Sequence, residues 1–211
     1  MRRAYSAEFL GTFQLVFIGT GSVLLVETQH WSYPQLWIGL AFGFAVFLGI
    51  ILFGKASGAH MNPAVTTALW VKGAFDGKEV PFYLIFQFAG AIVASALLAV
   101  IYPDHLHYGD TLPKIGEWQS LALEFGLTFV LMLVVIFDFH SKSSIWQAGI
   151  LIGAIVGLEA YFAGPYCGAS MNPARSLSPA VFSGMWSHIW IYLIATTLGA
   201  VGAVLLFKRS K

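Results

Sequence analysis

A duplicated segment constrains this chain more than any other feature. The tripeptide Asn-Pro-Ala occurs at residues 62–64 and again at residues 172–174, and similar residues surround both copies. Asn is a favoured N-cap and Pro is favoured at the first helical position, so each copy predicts the start of a helix. The side-chain oxygen of such an Asn accepts from the first helical turn, which leaves the NH₂ group free to donate. Asn62 and Asn172 could therefore offer donors to a passing solute without adding a negative charge.

The composition predicts an integral membrane protein, because 58% of the 211 residues are hydrophobic and only 10% are charged. Runs without Asp, Glu, Lys or Arg cover residues 9–26, 36–53, 80–103 and 186–207. Each run is close to the ~20 residues that cross a ~30 Å hydrocarbon core. Residues 118–139, interrupted by Glu124 and Asp138, and residues 145–163, interrupted by Glu159, complete a prediction of six spans.

The basic residues set the expected orientation. Nine of the eleven lie at positions 2, 3, 55, 72, 78, 142, 208, 209 and 211, on the side that six spans assign to both termini. The positive-inside rule makes that side cytoplasmic. Residues 9–26 are too long for the apolar region of a signal peptide, so we expect the first span to be retained. Short termini and loops favour a microbial plasma or inner membrane.

The chain reads as one domain, residues 1–211, built from two inverted halves. Residues 7–13 match residues 123–129, which sets halves of about 1–102 and 118–211 joined by the linker 103–117. Three spans in each half are an odd number, so the second half enters the bilayer upside down. Segments 62–71 and 172–181 are each ~15 Å of helix, half the membrane, and their N-termini should meet at the midplane.

Non-helical backbone at that depth is tolerated only where it is buried in protein or lines an aqueous cavity. The loops 54–61 and 164–171 therefore predict a water-filled path, with a row of carbonyls contributed by Gly58, Ala59, His60, Cys167 and Gly168. Glycines at four-residue spacing, at positions 39 and 43 and at 149, 153 and 157, predict close helix contacts. The fold class expected is an all-α membrane protein with six transmembrane helices and two re-entrant half-helices.

These motifs resemble the aquaporin, or major intrinsic protein, family. The resemblance covers nearly the whole chain and depends on residues 7–12, on residues 57–66 and on residues 168–176, which hold Pro63, Ala64, Pro173 and Ala174. It implies a passive channel for water or small neutral solutes that excludes protons and ions. It also implies a homotetramer with one pore in each subunit, surrounded by the lipid bilayer, and no cofactor.

The family's selectivity filter carries over to Phe42, Ala160, Ala169 and Arg175, counted without gaps from the two Asn residues. Strict water channels usually carry His where this chain has Ala160, so the filter should be wider and more apolar. Residues 168–177 are also similar to the nodulin-like plant branch. Phe42 and Ser176 differ from the Trp and Asp of many glycerol facilitators. We expect water as the main solute, with a broad neutral-solute facilitator as the alternative.

Three glutamates have two readings each. Glu8 and Glu124 occupy equivalent positions in the halves and could relay protons in a transporter, but in the resembling family such residues brace the re-entrant loops. Glu159 could brace the outer loop behind Arg175 or line the lumen. Arg175 could pair with Glu159 or, as we prefer, act as a donor facing the pore, because an unpaired charge at membrane depth is costly.

Other functions find less support. Asp104, His105, His107 and Asp110 resemble a metal cluster only loosely, and a solvated outer loop is the preferred reading, so no metal is expected. Cys167 fits a packed small residue better than a reactive thiol. The net charge of +1 gives no reason to expect nucleic-acid binding. A membrane enzyme lacks a visible catalytic constellation, whereas a proton-coupled transporter or a structural junction protein of this fold stays open to experiment.

Overall fold

The computed structural model describes residues 2–141 and 143–208 and gives these residues an all-helical structure. Lys142, Arg209 and Lys211, three of the residues behind the predicted orientation, lie outside the described part, as does the side chain of Lys208. The helices are α1 (Arg2–Thr28), α2 (Pro34–Ser57), α3 (Pro63–Lys72), α4 (Val80–Ile101), α5 (Glu117–Ser141), α6 (Ile145–Cys167), α7 (Pro173–Ser183) and α8 (Ile189–Lys208).

Six of these helices, namely α1, α2, α4, α5, α6 and α8, are long and apolar enough to cross a membrane, which confirms the six predicted spans. The half-helices α3 and α7 have 10 and 11 residues and begin at the prolines of the duplicated tripeptide. Large apolar side chains, among them Leu52, Ile85, Val100, Phe137 and Ile150, are exposed on the outside of the bundle, where lipid would cover them.

The long helices extend further into the loops than the sequence predicted. Helix α2 continues to Ser57 and α6 to Cys167, so the non-helical backbone begins at Gly58 and Gly168 rather than at residues 54 and 164. Gly58 and Gly168 end these helices as left-handed C-caps, and their N–H groups donate four residues back at 2.9 and 3.0 Å. Helix α8 begins at Ile189 rather than at residue 186, because residues 184–186 are irregular and residues 187–188 form a turn.

Glycines mark where the helices of each half cross. In the first half, Gly90 of α4 lies so close to α1 that a Cβ atom would collide with the backbone oxygen of Phe9. In the second half, Gly199 of α8 meets the backbone oxygen of Phe125 in α5 in the same way. The two crossings are equivalent under the sequence repeat, so the halves share one packing scheme.

The two halves are interlocked rather than placed side by side. Helices α2 and α6 cross with Gly39 and Gly43 against Gly153 and Gly157, so that their backbones touch. Half-helix α3 packs mainly on α8, the last helix of the other half, and α7 packs mainly on α4. Each half-helix is therefore held in place by the opposite half.

Candidate pore

The centre of the molecule is formed by the N-termini of the two half-helices. Asn62 caps α3, and its Oδ1 accepts from the backbone N–H of Ala64 at 2.9 Å. Asn172 caps α7, and its Oδ1 accepts from Ala174 at 3.0 Å. Both Asn residues have an extended backbone, as N-caps do. The partial positive charge at each helix N-terminus therefore lies at the centre of the molecule, where the two half-helices meet.

The two asparagines also tie the halves together. Nδ2 of Asn62 donates to the backbone oxygen of Met171 at 2.7 Å, and Nδ2 of Asn172 donates to that of Met61 at 2.8 Å. The expectation that the NH₂ groups stay entirely free was therefore wrong. Each amide has two N–H bonds, so one of them fixes the opposite loop and the other is left for the cavity.

The loops before the half-helices have a strained backbone at matching positions. In the first loop φ is +85° at Gly58, +47° at Ala59 and +49° at Met61. The second loop repeats the pattern at Gly168, Ala169 and Met171, with φ of +89°, +42° and +53°. A left-handed conformation at a residue other than Gly costs about 1–3 kcal/mol and persists only where the surroundings enforce it.

Two buried glutamates enforce this conformation. Glu8 accepts from the backbone N–H groups of His60 at 2.9 Å and Met61 at 2.7 Å, and from the side chain of Gln87 at 2.7 Å. Glu124 accepts from Ser170 at 2.8 Å and Met171 at 3.0 Å. Because N–H donors engage both oxygens of each carboxylate, the geometry fits the bracing role better than a proton relay.

Two tyrosines hold the helix ends that precede these loops, and sequence reasoning missed both. The hydroxyl of Tyr83 donates to the backbone oxygen of Ser57, and that of Tyr192 donates to Cys167, both at 2.9 Å. Each Tyr lies seven residues before the crossing glycine of its helix, Gly90 or Gly199. Extending the repeat alignment into α4 and α8 would have revealed the pair.

A cavity of about 270 Å³ runs along the half-helix junction. Its wall is mostly apolar, with Val46, Ile50, Leu131, Ile152 and Val156 among the contributors. The predicted pore residues on the wall are Phe42, Gly58, Ala59, His60, Asn62, Asn172 and Arg175. The cavity extends from Asp138, near the end of α5, to Arg175, in the first turn of α7.

Arg175 is 3% exposed and lies at the end of this cavity. Its Nη1 donates to the backbone oxygen of Gly109 at 2.8 Å, and its guanidinium carbon lies 5.2 Å from the centre of the Phe42 ring, within cation–π range. The described residues show no ion pair between Arg175 and Glu159, so the salt-bridge alternative was wrong. The backbone oxygen of the outer loop takes the place of a carboxylate.

The remaining filter candidates, Ala160 and Ala169, are 3% and 4% exposed and belong to the same apolar cluster as Phe42. Neither contributes to the wall of the cavity.

The structure does not place the Cys167 carbonyl in the predicted row along the lumen, and a pore-lining role for Gly168 stays a prediction. Cys167 is the last residue of α6, its side chain is fully buried, and its backbone oxygen accepts from Tyr192. Because α6 continues this far, the second loop contributes Ser170 and Met171 to the cavity wall instead.

Glu159 also departs from its predicted role. It is 7% exposed, and neither side-chain oxygen has a hydrogen-bond partner among residues 2–141 and 143–208. The structure therefore gives it no bracing contact, and it does not place Glu159 on the cavity wall.

The outer loop between α4 and α5 contributes more than the sequence indicated. Besides Gly109, which binds Arg175, Thr111 donates to the hydroxyl of Ser176 at 2.7 Å, and Ser176 contacts Ser170. Burial raises the pKa of the Asp110 carboxyl above its usual range, although Ser183, Arg175 and His107 act in the opposite direction. No motif marks Gly109 or Thr111, so sequence reasoning had no signal for them.

The loosely grouped acids and histidines of the outer loop form contacts other than those of a metal site. Nε2 of His105 lies 3.1 Å from a carboxylate oxygen of Glu27, and His107 donates its backbone N–H to the His105 ring. Across the part of the chain that the structure describes, no three His, Cys, Asp or Glu residues are arranged to hold a metal ion.

Comparison with known proteins identifies the family to which this arrangement belongs. The family model described as "Major intrinsic protein" matches residues 1–207. The chain belongs to the major intrinsic protein family. Members of this family are channels rather than enzymes, so the chain is an integral membrane channel protein.

Individual relatives agree with this assignment. Aquaporin NIP1-1 of Zea mays is 39% identical over 197 residues, which cover 92% of this channel and 70% of the relative. Glycerol uptake facilitator protein-like 6 of Lactiplantibacillus plantarum is 39% identical over 210 residues, 94% of each chain. The X-ray structure of the aquaglyceroporin from Plasmodium falciparum superposes with a TM-score of 0.91 at 27% identity, covering 99% of this channel and 96% of that chain.

Proposed function

We propose that the channel conducts water and small neutral solutes of the size of glycerol and urea, passively and without protons or ions. The observation that carries this proposal is the pair of Arg175 and Phe42 on the cavity wall, because it places one fixed donor and one aromatic ring side by side at the end of the cavity.

The filter composition supports the solute range. Phe42 and Arg175 are the two large members, and Ala160 and Ala169 each contribute a single methyl group. In a filter of this kind, Arg175 offers hydrogen bonds on one side and the opposite side is apolar. This arrangement suits a small polyol, whose hydroxyl groups and hydrocarbon backbone can lie on opposite sides of the molecule. Water, being smaller, passes the same opening.

The central asparagines support proton exclusion. One N–H of Asn62 and one of Asn172 remain for the cavity after the bonds to Met171 and Met61 are made. Both would donate to the oxygen of one water molecule, so that this oxygen cannot also accept a hydrogen bond from a neighbouring water and the proton relay along the file is interrupted. The positive ends of α3 and α7 raise the energy of a cation at the same point.

The names of the relatives support both solute classes. One is called an aquaporin and another a glycerol uptake facilitator protein-like protein, at the same 39% identity. We therefore treat water and small neutral solutes as joint substrates. The second candidate, a facilitator with little water permeability, differs only in the relative rates.

We extend the proposal to assembly and orientation. An apolar groove of about 600 Å³ lies along the crossing of α2 and α6 and is lined by Leu36, Leu40, Phe44, Ile150 and Phe162. Such a surface fits contact with other subunits of a homotetramer in a lipid bilayer. The basic residues favour an orientation with both termini in the cytoplasm.

Stopped-flow light scattering on proteoliposomes tests the function. The wild type should shrink rapidly in an impermeant osmolyte and should re-swell in glycerol and in urea. Ala160→His should suppress the re-swelling and preserve the shrinkage, because the imidazole narrows the filter. Ala56→His, at an exposed position near the cytoplasmic end of α2, is the matched control and should behave as wild type.

Each alternative gives a different result in this assay. Shrinkage without re-swelling in the wild type would identify a water-selective pore. Re-swelling with slow shrinkage would identify a solute facilitator. Solute uptake that requires a pH gradient would indicate a coupled transporter, and permeability equal to that of empty vesicles would refute a channel function altogether.

A further inference from the structure

The cavity has an acidic residue at the end opposite Arg175. Helix α5 contributes Leu131, Val135 and Asp138 to the wall, at spacings of four and three residues that place them on one helix face. Arg175 lies at the other end of the same cavity, beside Phe42. The wall is therefore negatively charged at one end and positively charged at the other, with mostly apolar side chains between.

The other fixed charges of the cavity are positive. Arg175 carries a full charge, and the N-termini of α3 and α7 each contribute roughly half a charge. By themselves these groups would attract anions. Glu8 and Glu124 are fully buried behind the loops, where N–H donors engage both oxygens, and they do not contribute to the cavity wall.

Asp138 lies on the cavity wall, and its carboxylate forms no ion pair with a residue of the described ranges 2–141 and 143–208. It is half-buried, and Oδ1 is removed from solvent and accepts no hydrogen bond from any of the described residues. His60, the other titratable group on the wall, bonds to Thr66 through Nδ1. In a narrow cavity with apolar walls, a charge acts over a longer distance than it does in water.

We infer that Asp138 is a specificity-determining residue that excludes anions from the end of the pore opposite the Arg175 filter. Its charge repels small anions that the positive groups would otherwise attract, whereas uncharged solutes pass it. The inference rests on the proposed function, because it assumes that neutral solutes use this cavity.

Nitrate and urea provide the test, because both are planar molecules with four non-hydrogen atoms and differ in charge. Proteoliposomes are placed in potassium nitrate with valinomycin, so that potassium follows nitrate and swelling reports the nitrate permeability. Parallel vesicles in urea report the permeability to a neutral solute of similar shape. The variants are Asp138→Asn and Asp138→Glu. The control is Asp76→Asn, which removes an exposed carboxylate in the α3–α4 connection, on the side of the membrane where the predicted topology also places the end of α5.

Asp138→Asn should raise the ratio of nitrate to urea permeability about tenfold, the effect of one unit charge acting over a distance on the order of 10 Å at an effective dielectric constant of about 20. Asp138→Glu and Asp76→Asn should keep the wild-type ratio. A ratio that does not change in Asp138→Asn, or that changes equally in Asp76→Asn, would overturn the inference. Failure of the proposed function would be seen separately, as absent urea flux in the wild type.

Discussion

The two bracing carboxylates allow one prediction to be worked out in detail. Replacing Glu124 with Gln preserves the shape of the side chain and converts one acceptor oxygen into an NH₂ group. Because Ser170 and Met171 each donate to a different oxygen of Glu124, the amide can satisfy only one of them. The other backbone N–H then faces a second donor inside the protein.

The magnitude follows from these two contacts. A hydrogen bond to a charged group contributes about 1.5–3 kcal/mol, and a buried donor without a partner costs about 1–3 kcal/mol. The expected loss in the free energy of unfolding is therefore about 3–5 kcal/mol. For a chain of this size that corresponds to a fall in Tm of roughly 6–20 °C.

Thermal unfolding of the purified protein in detergent, followed by tryptophan fluorescence, measures this loss. Glu159→Gln is the matched control, since it makes the same chemical change at a buried carboxyl group whose oxygens have no partner among the described residues. Its Tm should stay the same or rise. Stopped-flow water permeability should fall in Glu124→Gln, because the loop that holds Met171 loses its support, and should be preserved in Glu159→Gln.

Equal effects of the two substitutions on Tm would refute the reasoning. That result would mean that the hydrogen bonds seen at Glu124 contribute no more than the unpartnered group at Glu159. A large loss in Glu159→Gln alone would show that Glu159, rather than Glu124, stabilises the second loop.

Three further predictions follow from burial and packing. Gly90→Ala should lower stability by about 1–3 kcal/mol because its Cβ collides with the backbone oxygen of Phe9, whereas Gly126→Ala, where a Cβ meets nothing within 4 Å, should be neutral or stabilising in the same thermal assay. Because burial raises the pKa of Asp110, stability should fall as pH rises from the ordinary aspartate range through the raised pKa, and a pH series of Tm values should lose this dependence in Asp110→Asn. Mercurial reagents should leave water flux unchanged, because Cys167 is fully buried and absent from the cavity wall. Inhibition that Cys167→Ser abolishes would contradict this prediction, whereas inhibition that persists in Cys167→Ser would show that the reagent acts at a site other than Cys167.

The sequence predicted the parts of this fold that depend on local patterns. Apolar runs of the right length predicted the six spans, and Asn followed by Pro predicted the starts of α3 and α7, because capping is decided within a few residues. The odd number of spans in each half predicted the inverted arrangement. The ends of α2 and α6 were misplaced by four residues, since Gly54 and Gly164 gave no sign that the last turn continues past them.

Contacts between distant segments were beyond the sequence. Arg175 binds Gly109, 66 residues earlier in a loop without a motif, and this contact replaces the carboxylate partner that a charge pattern would suggest. Glu159 shows the opposite case, because a buried glutamate implies a partner by general rules, yet the described residues supply none. Neither outcome can be predicted from the sequence, because each depends on which atoms the tertiary packing brings close to the charged side chain.

The reciprocal bonds between the asparagines and the loop carbonyls bear on how the chain is made. Asn62 finds its partner 109 residues later, at Met171, and Met61 finds its own 111 residues later, at Asn172. A nascent chain that has inserted only its first three spanning helices therefore holds an open backbone acceptor and an open amide donor at membrane depth. These groups are satisfied only when the seventh helix arrives, so the first half reaches its final form as a consequence of synthesis of the second.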